Sequence, residues 1–175
     1  MKKLLLFYVM STLLIGCSSD DDDYAPLESF IPGTWKMTNI ILENGYEFDQ
    51  DEMKIIDLVE QTNCYQNEII TFNQDGTATV NSNSFLNVTA SLVEGTQDEY
   101  TYTTDCVNEN ETYPVTWSMA NTDLLLTEDD GFISRAYYGG GNFFTFSIPD
   151  GFEILLDDGT TIHAEEDMLV IYERQ

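Results

Sequence analysis

The chain has one histidine and six basic residues in 175, against 32 acidic ones. A single histidine leaves little from which to build a Ser-His-Asp arrangement. His163, in Thr161-Ile162-His163-Ala164, reads as an exposed strand position. A net charge of −26 repels phosphate backbones, which excludes nucleic acid as a partner. Cations, or a partner with a basic patch, are the natural electrostatic complements. Paired carboxylates suit glycosidases, but among 32 acids such pairs arise by chance and carry no signal. No enzyme activity and no cofactor is expected. Metal ligation is disfavoured too, because two cysteines and a distant histidine lack the spacing of a metal site. Asp49, Asp51 and Glu52 offer oxygen atoms of the kind Ca²⁺ takes, without EF-hand spacing; a helix cap explains them more economically.

Long apolar runs are also missing. Leu4 to Ile15 is interrupted by Ser11 and Thr12 and falls short of the ~20 residues of a spanning helix. Met1-Lys2-Lys3 ahead of it is a short basic region, and Gly16 is a small-residue exit. This pattern reads as an export signal, with a buried first helix as the alternative. Leu14-Ile15-Gly16-Cys17 resembles the lipobox of bacterial lipoproteins, which implies lipidation at Cys17. Lipid chains contribute ~0.8 kcal/mol per buried CH₂, so such an anchor tethers without spanning. Four adjacent aspartates, Asp20 to Asp23, repel one another and stay solvated, as a spacer must. Ser19 with these aspartates also resembles the export signal that sends lipoproteins of Bacteroidota to the outer face of the outer membrane. A periphery facing the periplasm is the alternative. The division expected is a signal peptide over 1–16, a lipidated acidic tether over 17–29 and one domain over 30–175.

Within that domain the hydrophobic period is two. Ile70 and Phe72 alternate with Thr71; Leu86, Val88, Ala90 and Leu92 with polar residues; Val115, Trp117 and Met119 with Thr116 and Ser118; Phe144, Phe146 and Ile148 with Thr145 and Ser147. Asn73-Gln74-Asp75-Gly76 and Asp158-Gly159-Thr160 are hairpin turns. About ten short strands are expected in an antiparallel meander, which closes to remove its edges. A barrel is the first choice and a sandwich the second. One short helix is expected near 51–61, from the spacing of Met53, Ile55, Ile56 and Val59 and an Asp49/Glu52 capping box. Glu128 to Gly141 reads as a mobile loop. Cys64 and Cys106 remain for a disulfide in an exported chain, worth about 4 kcal/mol by chain entropy, with two free thiols as the alternative.

Gly33-Thr34-Trp35 looks like the G-x-W opening of lipocalins. Cys64, the run Glu68 to Thr77 ending Asp75-Gly76-Thr77, Cys106, and Thr116-Trp117-Ser118 before Leu124-Leu125-Leu126 resemble the lipocalin-like lipoproteins of Bacteroidota. The resemblance spans about Ile31 to Gln175. It implies an all-β, lipocalin-like closed or half-open barrel on a lipid tether, and a small apolar ligand. It also implies that Trp35 packs at the closed end under Arg174, as a cation–π pair. The Glu128–Gly141 segment departs from the pattern and puts simple eight-strand closure in question.

Two functions follow as expectations. The first is a monomeric envelope lipoprotein that binds a small apolar or amphipathic molecule without chemistry, through Tyr100, Tyr102, Trp117, Met119, Phe144 and Phe146. An ordinary packed core is the competing reading of these six. The second is an accessory module that docks another envelope protein or a glycan through its acidic surface and the 128–141 loop.

Overall fold

The computed structural model describes residues 26–48 and 54–175. The leader, Cys17, Asp20 to Asp23, and Asp49, Asp51 and Glu52 lie outside the described residues. Nine strands form: β1 (Gly33–Tyr46), β2 (Ile55–Asp57), β3 (Ile69–Phe72), β4 (Thr77–Leu92), β5 (Tyr100–Ala120), β6 (Asp123–Thr127), β7 (Ile133–Tyr137), β8 (Phe143–Leu156) and β9 (Ile162–Arg174). One helical turn, α1 (Leu58–Gln61), follows β2, and a 3₁₀ turn (Leu27–Phe30) precedes β1.

Eight of the strands close an antiparallel barrel. From β3 to β9, neighbours in the chain are neighbours in the sheet. β1 pairs β3 on one edge and β9 on the other, from Trp35↔Arg174 to Leu42↔Met168. That last ladder closes the wall and removes the open edges of the meander. β2 is the extra strand; it pairs the far part of β1, at Ile41↔Asp57 and Tyr46↔Ile55.

The hairpins follow their turn chemistry. Asn73 donates its N–H to Thr77 O (2.8 Å), and Gly76 holds φ +84°, a conformation open to glycine. At the β8–β9 turn, Asp158 Oδ1 accepts from Thr160 N (2.8 Å) and Thr161 N (2.7 Å). The Thr161 hydroxyl and these amides hold the Asp158 carboxyl down, to about 2. A depressed carboxylate contributes above its unfolded value and loses that contribution as pH falls through its folded value. Amide-exchange protection at this turn is therefore expected to persist through mild acid and fade only near pH 2.

Three expectations need correction. The helix is shorter than 51–61: Ile55–Asp57 is extended and only Leu58–Gln61 is helical. Its N-cap is Asp57, whose Oδ1 accepts from Val59 N (3.0 Å) and also from Ile40 N (3.2 Å) on β1. A tertiary contact therefore decides where this helix begins. Among the described residues the strands number nine rather than about ten, because three pairs of pieces separated in the sequence pattern join, Phe144–Ile148 with Phe152–Leu156 among them, while β2 and β7 are added. Ala78 to Leu92 is one strand, and Tyr100 to Met119 another, continuing through Pro114. Pro114 costs no ladder bond on the β6 side, since that ladder begins only at Thr116↔Thr127. Finally, Glu128 to Gly141 is not a loop. It contains β7, paired to β6 from Asp123↔Tyr137 to Thr127↔Ile133, and so supplies one of the eight wall strands.

The barrel is filled at both ends. At one end Ile31, Trp35, Tyr138 and Phe144 are fully buried. At the other, β4–β5 and β8–β9 run past the short β6 and β7, and β4 meets β8 in a parallel pair at Thr89↔Leu155 and Ala90↔Leu156. Leu42, Leu58, Val88, Ala90, Phe152 and Ile154 are buried there. The disulfide Cys64–Cys106, with Cα atoms 5.5 Å apart, ties the segment after α1 to β5 at this end.

Candidate functional site

Between the two plugs lies a cavity of about 250 Å³. All eight barrel strands contribute to it, through Met37, Ile70, Val80, Val115, Leu126, Ser134, Phe146 and Val170, with Tyr113, Tyr172, Ile148 and Glu128 completing it. It is therefore the barrel lumen. Its lining is aliphatic and aromatic with a few polar groups, the usual composition of a small-molecule pocket. Burial raises the hydroxyls of Tyr113 and Tyr172 above the ordinary phenol range. The charge of Glu68 adds to both effects, and Glu128 adds to that on Tyr113.

Glu68 stands just before β3 and is itself buried. Its Oε1 accepts from Asn83 N (2.8 Å) and Ser84 N (3.0 Å), at the irregularity where the β4–β5 register shifts. The carboxylate thus satisfies amides that the ladder leaves free. Glu68→Ala is expected to cost about 1–3 kcal/mol by orphaning both amides. Glu68→Gln keeps an acceptor and should lose much less. Urea unfolding of the two variants checks this.

The six residues expected to bind ligand do not form one site. Phe144 belongs to the closed-end core: it stacks on Tyr172 (centroids 5.1 Å, 13° between planes) and touches Trp35 (5.1 Å) and Phe72 (5.9 Å). Trp117 and Met119 are half-buried and line an outer groove with Pro26, Pro32 and Asp75. Trp117 Nε1 donates to Asn73 O (3.0 Å), so the indole braces the β3–β4 turn. Phe146 alone lines the lumen. Tyr100 and Tyr102 lie at the opposite end, in an open cleft of about 850 Å³ with Tyr46, Phe48, Lys54 and Glu166.

His163 is half-buried in this region rather than exposed. Its ring lies 4.1 Å from that of Tyr100, and its Nε2 is 3.2 Å from the Tyr102 hydroxyl. That hydroxyl is in turn 3.0 Å from the Tyr46 hydroxyl. Burial, then the Tyr102 hydrogen bond, raise the Tyr46 phenol well above its ordinary range.

At the closed end Trp35 Nε1 donates to Ile31 O (2.8 Å), and the Arg174 guanidinium carbon lies 4.6 Å from the indole centroid. Arg174 Nη1 donates to Pro32 O (3.0 Å). A Cβ on Gly33, which holds φ +136°, would come within 2.8 Å of Nη1. Glycine at this position lets the guanidinium reach the indole.

Comparison with known proteins finds no matching family model, no similar curated protein and no similar solved structure. The lumen is thus read from its own residues. Tyr113, Glu68 and Glu128 were not singled out by the sequence pattern. Pro114 masked the strand that carries Tyr113, and the other two passed as ordinary members of an acidic composition. The usable signal was parity: Tyr113 shares the face of Val115, two residues on.

Proposed function

We propose that this chain is an envelope lipoprotein of the lipocalin-like kind, tethered through Cys17 and holding a small apolar or amphipathic molecule in its barrel without chemical change. The observation that carries this reading is the lumen: a largely apolar cavity of about 250 Å³, lined by all eight barrel strands, with buried side chains at both ends of the barrel. Small barrels are commonly filled by side chains unless they hold a ligand. The G-x-W residues support the resemblance, since Gly33, Trp35 and Arg174 form one packed unit. The lipobox and the aspartate run support an outer-membrane location facing outward.

Two measurements test this. Cys17→Ala is expected to move the protein from the membrane fraction to the soluble fraction of its host's envelope. Retention in membranes would remove the anchor from the proposal. Native mass spectrometry of the released protein is expected to show an added small-molecule mass that is lost on unfolding. A bare mass, together with failure to bind added octanol, would argue that the lumen is only imperfect packing.

A further inference from the structure

We propose that the lumen is entered through the side of the barrel, between β5 and β8 above the β6–β7 turn, and that its mouth selects an amphiphile with a cationic head over one with an anionic head. This rests on the lumen being a binding site. Both barrel ends are occupied by buried side chains, so a ligand needs another route. The wall has one on the side of the short strands. The β5–β6 ladder reaches only from Ala120 to Thr116, and the β7–β8 ladder has only Ala136↔Phe146 and Tyr137↔Thr145. Beyond these pairs β5 and β8 face one another across the β6–β7 turn. Pro114 on β5 and Pro149 on β8 flank this stretch, and each lacks the N–H that a ladder bond needs.

Burial places the opening on the same side. Ile70, Val80, Val115, Leu126, Val170 and Tyr172 are buried; Met37 on β1 and Phe146 are partly buried, and the most exposed lining residue is Ile148 at 39%, beside partly exposed Tyr113, Glu128 and Ser134. The lumen is thus open at Tyr113, Glu128, Ser134 and Ile148.

The chemistry of this mouth is of one sign. Glu128 lines the lumen and also the groove outside it, with Glu111, Tyr113, Pro114, Asp129 and Asp130. No lysine or arginine lines either space. Arg135 on β7 is drawn to Asp123, 3.4 Å away. Glu68, buried just before β3, adds a further acidic group close to Tyr113 and Tyr172. An alkyl body in the lumen therefore leaves its head among carboxylates. Electrostatic complementarity favours an ammonium there, tolerates a hydroxyl and disfavours a carboxylate.

The test uses three probes with one chain length: octylamine, octanol and octanoate, titrated calorimetrically into the full chain carrying Cys17→Ala. The expected result is binding in the order amine, alcohol, acid, with amine over acid by about tenfold or more at low salt and less at high salt. Glu128→Gln with Glu111→Gln, both at partly exposed or exposed positions, should shrink that ratio while leaving octanol unchanged. Ser134→Trp should weaken all three by obstructing the mouth. Equal or tighter octanoate binding with octanol still bound would overturn the charge selection and leave the lumen standing. Binding that ignores Ser134→Trp in a folded variant would overturn the lateral entrance. Failure of all three probes would overturn the binding reading itself.

Discussion

Cys64→Ala with Cys106→Ala is expected to lower stability by about 4 kcal/mol, read as a shift of the urea midpoint. The chain between the two cysteines spans 42 positions, and a loop of that size loses closure entropy of this order when cross-linked. Here the bridge also has structural work. Beyond Thr116↔Thr127, β5 has β4 on one edge and no β6 on the other. The segment after α1 lies against this upper part of β5 and is joined to it at Cys106. Cys64 is fully buried, so its loss also leaves space in the core. The loss should be local in its consequences. Amide protection should fall at Leu58–Asn67 and Tyr100–Val107 and persist at Trp35 and Phe144. A midpoint change equivalent to less than about 1 kcal/mol would show that strand pairing alone holds this end.

Trp35→Ala is expected to cost about 3–5 kcal/mol, the usual range for truncating a fully buried aromatic side chain. That corresponds to a fall in Tm of roughly 10 °C for a domain of this size. Four separate contacts meet at this residue. The ring packs at right angles to Tyr138 (6.0 Å) and tilted against Phe144 (5.1 Å). Arg174 sits over it at 4.6 Å. The indole N–H satisfies Ile31 O, and that hydrogen bond fixes the approach of the chain into β1. Trp35→Phe keeps a ring but strands the carbonyl, so it should fall between wild type and alanine. Arg174→Met keeps the stem and removes the charge. Its cost should be smaller, since a cation–π contact contributes about 0.5–2 kcal/mol. A Trp35→Ala loss below that of Arg174→Met would mean that the plug at this end is held by Phe144 and Tyr138 instead.

Much of this barrel was legible in residue order. Alternation placed Phe144, Val115 and Val170 on inward faces, and the DG turns at Asp75-Gly76 and Asp158-Gly159 joined the expected strands. The pairing of Cys64 with Cys106 was open to inference by count. What was not legible was height along the barrel. Trp117 and Phe146 have the same inward parity, yet one braces a turn and the other lines the lumen. The hidden strand β7 had the same cause. Ile133 to Tyr137 carries two exposed apolar residues, Ile133 and Tyr137, and an exposed arginine, so its inward pair Ser134 and Ala136 was masked.

By itself the sequence determined the class, the two DG turns and the faces of the strands whose alternation is clear. These are set by local chemistry, because the pleat has a period of two and a glycine turn needs no distant partner. Only the tertiary structure decided where α1 begins, which aromatics meet, and that the β7–β8 ladder is only two pairs long. Each of these depends on the register of one strand against another, and register is fixed by contacts between residues far apart in the chain.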